Sequence, residues 1–231
     1  LIDSLIGYFN YQDAKKLGDI LNEIFTEYPK DTIDTLMQPT STHDISRAIE
    51  LFATNSFNPR KGHNWDLDCG NASDFVRNHQ LTTEEYEFGK KKFKSYAVAL
   101  AFLPGIFSIF YGDEVGLQGI HNLANRAPFP WGREDVELQA YFRKMLSVRT
   151  QNEFLRTAEC KIKKISKEHF VYERIGKQES ILVIASRTHY ETLLHIPADY
   201  QDAEILFCIG EQTDRKTLMP YGAVIFKKKR S

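Results

Sequence analysis

Ser41-Thr42-His43-Asp44 sets an imidazole and a carboxylate side by side directly behind the strand-like run Thr35-Leu36-Met37-Gln38. The pattern recurs further along, where Phe107-Ser108-Ile109-Phe110-Tyr111 runs into Gly112-Asp113-Glu114. A carboxylate is a strong charge-assisted acceptor for hydroxyl groups, and an imidazole can donate beside it. Such a pair is half of a catalytic centre of unspecified type. The local alternative is that Asp44 caps a helix beginning at Ile45 and that His43 is an ordinary loop residue.

Two polar clusters at strand ends need a scaffold that repeats strand and helix, and residues up to about 150 have that rhythm. Leu5-Ile6-Gly7-Tyr8 reads as a strand end. Leu17, Ile20, Leu21, Ile24 and Phe25 then recur at helical spacing and stop before Pro29. A strand over Thr35 to Thr40 and a helix near Ile45 to Ala53 form the next unit. Residues 54 to 81 carry Asn, Gly, Asp and His with little periodicity, as a functional or mobile loop does. Thr82 and Glu85 form a capping box for a long helix whose face is Tyr86, Phe93, Tyr96, Ala97, Leu100 and Leu103. Pro104-Gly105 ends that helix. A strand from Ile106 to Tyr111 and a helix around Asp135 to Arg149 complete the last unit. In an α/β barrel the C-terminal ends of the strands carry the chemistry.

Near residue 155 the period turns twofold. Short β-rich runs at Lys161 to Ile165, Phe170 to Ile175, Ile181 to Ile184, Thr192 to Ile196, Ile205 to Ile209 and Ala223 to Phe226 are separated by turn residues such as Gly176-Lys177. They predict a small antiparallel β-sandwich. The boundary falls around 150 to 157, giving domains over 1–153 and 154–231.

With 231 residues, 42% hydrophobic and 13% aromatic, the chain can build a sizeable core. Thirty basic residues against thirty-one acidic ones give a net charge of −1, so no bulk field draws nucleic acid or an anionic membrane. The Lys227-Lys228-Lys229-Arg230 run reads as a solvated tail. Cys69, Cys160 and Cys208 show no framework spacing, which suits a reducing, cytoplasmic setting. No membrane-length apolar stretch and no leader pattern are visible. The chain begins at Leu1 without Met and reads as an excised piece. His63, His79 and His121 lack ligand spacing, and there is neither a phosphate loop nor a Rossmann glycine pattern. No metal and no cofactor are expected.

Three landmarks in order carry a resemblance: Ser41-Thr42-His43-Asp44-Ile45-Ser46-Arg47, then Leu103-Pro104-Gly105 through Tyr111-Gly112-Asp113-Glu114-Val115-Gly116, then Asn125-Arg126-Ala127-Pro128-Phe129-Pro130-Trp131. Together they resemble the C-terminal part of an α-amylase-family glycoside hydrolase, nearest the neopullulanase and cyclomaltodextrinase group, over essentially the whole chain. The implied fold is the last three β/α units of a (β/α)8 TIM barrel plus the terminal antiparallel β-sandwich. Leu1 to Tyr8 would be the sixth strand, Thr35 to Thr40 the seventh and Ile106 to Tyr111 the eighth. The family's nucleophile and general acid lie on earlier strands, upstream of Leu1, so the isolated fragment is expected to be inactive.

The resemblance implies that Asp44 and His43 hold the sugar at the reacting position, with Asp44 as transition-state stabiliser. Glycoside cleavage passes through an oxocarbenium-like state, and contacts to the 2-hydroxyl that tighten there lower its barrier. Arg126 aligns with an arginine that binds sugar away from the cleavage point. Relatives often carry Asp-Pro where this chain has Asn122-Leu123, and a second Arg where it has Ala127, so an aspartate partner for Arg126 is missing. Tyr111, Asp113 and Glu114 are further substrate-binding candidates, although in relatives the two carboxylates mostly support the loop scaffold. Tyr111 and Trp131 suit stacking on sugar rings, with core packing as the alternative.

The partner implied is an α-glucan oligosaccharide, with no nucleic acid and no membrane. A sheet missing its N-terminal barrel half has open edges, so the fragment is expected to homo-oligomerise, borrow a strand or be marginally stable. Hydrolysis against glycosyl transfer, and α-1,4 against α-1,6 bonds, stay open. The competing reading is a non-catalytic carbohydrate-binding or assembly module.

Overall fold

The computed structural model describes residues 1–11, 13–53, 78–120, 124–210 and 215–230. His63, Cys69, His121, Asn122, Leu123 and most of the loop expected over 54 to 81 lie outside the described residues. The chain divides into two compact units, one of Leu1–Gln38, Lys94–Phe107 and Lys144–Ser231, the other of Pro39–Phe93 and Ser108–Arg143.

In the first unit, helix α1 spans Ile2–Tyr11, α2 Ala14–Glu27 and α3 Lys30–Thr35. The strand expected at Leu1 to Tyr8 is therefore corrected to helix. Ile2, Leu5, Ile6 and Phe9 recur at three- and four-residue intervals, so the apolar stripe is helical, and the short run Leu5 to Tyr8 fits either period by itself. Leu5, Ile6, Tyr8 and Phe9 are all buried. The Phe9 ring meets Tyr96 edge-on at 5.9 Å and Tyr8 meets Phe170 at 6.3 Å. Asp13 caps α2 by accepting from the Lys16 amide at 3.2 Å.

Strand β1 is Met37–Pro39, helix α4 is Ala48–Ala53, helix α5 is Thr83–Ala101 and strand β2 is Ile106–Ser108. β1 and β2 pair as a two-stranded sheet. The bonds from the Ile106 amide to Leu36 O and from the Thr40 amide to Ser108 O ascend together along both strands, the parallel sense. β1 is shorter than expected because Thr35 ends α3, Leu36 caps it and Thr40 already bends away, and β2 because residues after Ser108 turn into the following loop. Helix α6 runs Val136–Gln151. Its end and the first strand of the large sheet coincide with the change of period near residue 155.

That sheet orders its strands β3 (Glu159–Ile165), β4 (His169–Ile175), β5 (Glu179–Ser186), β9 (Ala223–Lys229) and β7 (Glu204–Cys208), all antiparallel. The ribbon of β6 (Thr192–Leu193) and β8 (Thr217–Leu218) supplies a second layer. Val171, Ile184 and Val224 stand opposite one another and pack with Leu194, Tyr200 and Leu218. The other face holds Tyr172, Val183 and Ile225. Tyr172 Oη donates to Ala99 O at 2.9 Å and Arg174 Nη1 to Phe102 O at 2.7 Å, so helix α5 covers it. With both faces covered, β4 and β5 read as near-continuous buried runs, whereas β3 alternates.

In the second unit, the first half of α5 starts at the capping box. Thr82 Oγ1 accepts from the Glu85 amide at 3.2 Å and Glu85 Oε2 from the Thr82 amide at 2.9 Å. Every residue of α4 is buried. A Cβ at Gly89 would lie 2.8 Å from Ile49 O, so α4 and α5 touch backbone to backbone there. Phe52 stacks on Phe93 at 6.2 Å, and Phe93 meets Phe142 at 5.3 Å. Lys90 holds Asp135 and Glu137, each at 2.8 Å, and Asp135 also accepts from the Leu138 amide at the start of α6.

Among the described residues no helix is long and apolar enough to cross a membrane.

Candidate functional site around His43 and Asp44

The site lies within the second unit, at the point where the two short strands give way to loops. After β1, the Thr40 and Ser41 hydroxyls donate to Asp113 Oδ2 at 2.7 and 2.6 Å. After β2, the chain reaches Asp113 through Gly112, whose φ of +90° suits glycine. The Phe110 amide donates back to Thr40 Oγ1 at 3.1 Å, tying the two loops together.

Asp113 is 1% exposed and lies inside the unit, not on its surface. The guanidinium of Arg47, with no exposure at all, lies 3.6 Å away and donates to Tyr111 O. It also lies 4.1 Å from the Phe110 ring and 4.4 Å from the Tyr111 ring, two rings that meet edge to face at 4.9 Å, a cation–π arrangement in a dry setting. Burial raises the Asp113 carboxyl to about 6, against the lowering pull of Ser41, Thr40, Arg47 and the Ala48 amide. Nearby, Glu50 is buried and pairs with His79 at 3.2 Å, while the Gly119 amide donates to it. Burial raises its pKa despite those partners.

His43 and Asp44 are the opposite case. His43 Nε2 lies 3.3 Å from Asp44 Oδ1, with the side chains 61% and 72% exposed. Helix α4 begins at Ala48, so Asp44 does not cap a helix starting at Ile45. Its own amide donates to Thr42 Oγ1 at 3.2 Å, making the segment a side-chain-stabilised turn.

Arg126 joins this exposed group. Its Nε and Nη2 donate to His43 O at 3.4 and 3.3 Å, and Nη2 lies 3.9 Å from Asp44 Oδ1. Arg126 and Asp44 thus form a loose ion pair in the open, while the Asn122-Leu123 position lies outside the described residues. Tyr111 is 41% exposed and its hydroxyl donates to Ala127 O at 2.9 Å. Glu114 is half-buried, and its Oε2 has no hydrogen-bond partner among the described residues. Trp131 is 80% exposed against Phe129 at 4.5 Å, so the core-packing alternative for it is overturned.

The structure therefore brings His43, Asp44 and Arg126 together in the open and sets Asp113 among the supports beneath. Sequence reasoning missed two of those supports, Arg47 and Asn125. Both stand inside the quoted motifs, but neither has a local signal that says what it touches. Among the described residues no group of three or more His, Cys, Asp or Glu is arranged to hold a metal ion.

No protein-family model matches the chain. An amylopullulanase of Thermoanaerobacter thermohydrosulfuricus is 33% identical over 147 residues, which is 64% of this chain and 9% of that protein. A cyclomaltodextrinase of Geobacillus thermopakistaniensis is 22% identical over 98% of this chain and 35% of its own length. The cyclic α-maltosyl-(1→6)-maltose hydrolase of Arthrobacter globiformis superposes with a TM-score of 0.68 at 18% identity, covering 99% of this chain and 43% of that one. The fold is that of an α/β portion followed by an antiparallel β portion, shared with glycoside-hydrolase structures. Relatives named amylopullulanase and cyclomaltodextrinase, together with structural neighbours of the same enzyme type, support an α-amylase-family fragment.

Proposed function

We propose that the chain carries the sugar-orienting part of a retaining α-glucan hydrolase, with bond making and breaking done by groups outside these 231 residues. The observation that carries this reading is the exposed pair of His43 and Asp44, 3.3 Å apart and adjoined by Arg126 at 3.9 Å, on a turn held from below. An ionised Asp44 would accept from two neighbouring hydroxyls of a pyranose, and His43 would donate to the same ring. As the ring flattens and positive charge grows at the anomeric carbon, the bonds from the 2-hydroxyl to Asp44 would strengthen, selective binding of the transition state. A carboxylate supplied from elsewhere would attack the anomeric carbon while a carboxylic acid gives its proton to the leaving oxygen, and water, deprotonated by the resulting carboxylate, would release the glycosyl group. Asp113 serves as a loop support beneath that turn. The names of the relatives, amylopullulanase and cyclomaltodextrinase, support an α-glucan as the substrate class.

The test compares a longer chain that carries the upstream barrel with its Asp44→Asn variant on cyclomaltodextrin, pullulan and maltotriose. On this reading kcat/KM drops by about two to three orders of magnitude on whichever substrates are turned over. A well-folded longer chain without turnover of any of the three would favour a non-catalytic carbohydrate-binding module instead.

A further inference from the structure

We infer that Asn125 is the positioning residue of the His43–Asp44 turn, a role that deepens the sugar-binding reading above and rests on it. Asn125 has no exposed surface. Its Nδ2 points at three carbonyls of one short turn, Ile45 O at 2.6 Å, His43 O at 2.9 Å and Thr42 O at 3.4 Å. A primary amide has two N–H donors, so two bonds are strong and the third is shared. The amide orientation is unambiguous, because the reverse placement would set Oδ1 against three carbonyl oxygens. Oδ1 is buried with no partner among the described residues, a cost accepted for the sake of the donors.

Among the described residues the turn's other contacts are longer than the two short Asn125 bonds, the Asp44 amide reaching Thr42 Oγ1 at 3.2 Å. A backbone bond within it, from the Ile45 amide to Thr42 O, is likewise long at 3.4 Å. The neighbouring Arg126 donates to the same His43 carbonyl, but at 3.3 to 3.4 Å and from a side chain that is 48% exposed. With the carbonyls drawn inward by Asn125, the side chains of residues 43 and 44 are left in the open, where a hydroxylated ligand would meet them. The loop that carries Asn125 is itself fixed by the Tyr111 hydroxyl on Ala127 O. One buried amide therefore joins the loop after β2 to the turn after β1 and sets where the imidazole and carboxylate stand.

The experiment uses the full 231-residue chain labelled with nitrogen-15, with maltotriose as the probe. In Asn125→Ala the amide resonances of residues 42 to 45 should shift or broaden before any sugar is added, and the maltotriose Kd should rise by about tenfold. Resonances of Tyr172 and Arg174, in the other unit, should stay in place and report that the chain is folded. Asn125→Asp separates positioning from mere filling of space. Its carboxylate repels the three carbonyls, burial raises its pKa, and protonation returns one donor. Its affinity, measured against the parent at each pH, should partly recover between about pH 8 and pH 5, whereas Asn125→Ala should not. If Asn125→Ala does not fold, the isosteric Asn125→Asp carries the test. Unmoved turn resonances, an unchanged Kd, or no recovery on acidification would overturn the proposal. A parent chain that binds no maltotriose overturns the sugar reading and this proposal with it, and that outcome is visible without any variant.

Discussion

The guanidinium of Arg47 and the carboxylate of Asp113 face each other at 3.6 Å with neither side chain reaching solvent. A buried ion pair is a modest source of net stability, but removing one partner strands the other in a dry interior. Arg47→Leu should therefore destabilise the chain by about 3 to 5 kcal/mol in urea denaturation. Arg47→Lys should recover only part, since an ammonium lacks the planar fork that meets the Phe110 and Tyr111 rings while donating to the Tyr111 carbonyl. A loss below about 1 kcal/mol for Arg47→Leu would show that the pair does not organise the loops.

Asp113 makes stability depend on pH. Its carboxyl is raised from 3.8 to about 6 in the folded chain, chiefly by burial. The folded state then holds this proton more tightly than the unfolded chain does. The associated stability is fully present below the unfolded pKa and is lost as pH rises through the folded one. Asp113→Asn removes the titration, so the variant should gain on the parent as pH rises from about 4 to about 7, by roughly 3 kcal/mol in all. Urea midpoints at several pH values measure this, and a constant difference across that window would count against it.

Asp44→Asn and His43→Ala should behave in the opposite manner, because both side chains are mostly in solvent. Their stability should stay within about 0.5 kcal/mol of the parent, while maltotriose affinity falls measurably. Calorimetric titration beside thermal melting distinguishes these outcomes. Unchanged affinity in both variants would remove the pair from the binding site.

Gly116 and Gly132 form an internal comparison. Both have positive φ, +72° and +76°. A Cβ at Gly116 would lie 1.8 Å from Tyr86 Oη, the hydroxyl that donates to Asp135 at 2.9 Å, whereas among the described residues nothing lies within 4 Å of one at Gly132. Gly132→Ala should cost about 1 to 2 kcal/mol of backbone strain alone, and Gly116→Ala about 2 kcal/mol more. Equal melting temperatures for the two would show that Tyr86 gives way freely.

Much of the scaffold was legible because its signals are local. The Thr82 and Glu85 pair announced the start of α5, Pro104-Gly105 announced its end, and the change from helical to twofold period marked the passage into the antiparallel sheet. The segment Leu5 to Tyr8 was misread because four apolar residues satisfy both periods, and Ile2 and Phe9 had to be counted to see the helical stripe. The His43–Asp44 pair was legible as a pair from adjacency, and its family from the order of three motifs.

By itself the sequence determined the elements, the family resemblance and the candidate residues, since each depends on neighbours a few positions away. Tertiary structure alone decided which polar groups are buried and which are offered to solvent. Asp113 and Asp44 are the same residue type behind similar strands, yet one is 1% exposed while the other keeps 72% of its side chain in solvent. That difference arises from Arg47, Thr40, Ser41 and Asn125, whose bonds close over sequence separations of more than sixty residues. Such contacts leave no local trace, because the energy that selects them appears only once the loops are brought together and water is excluded.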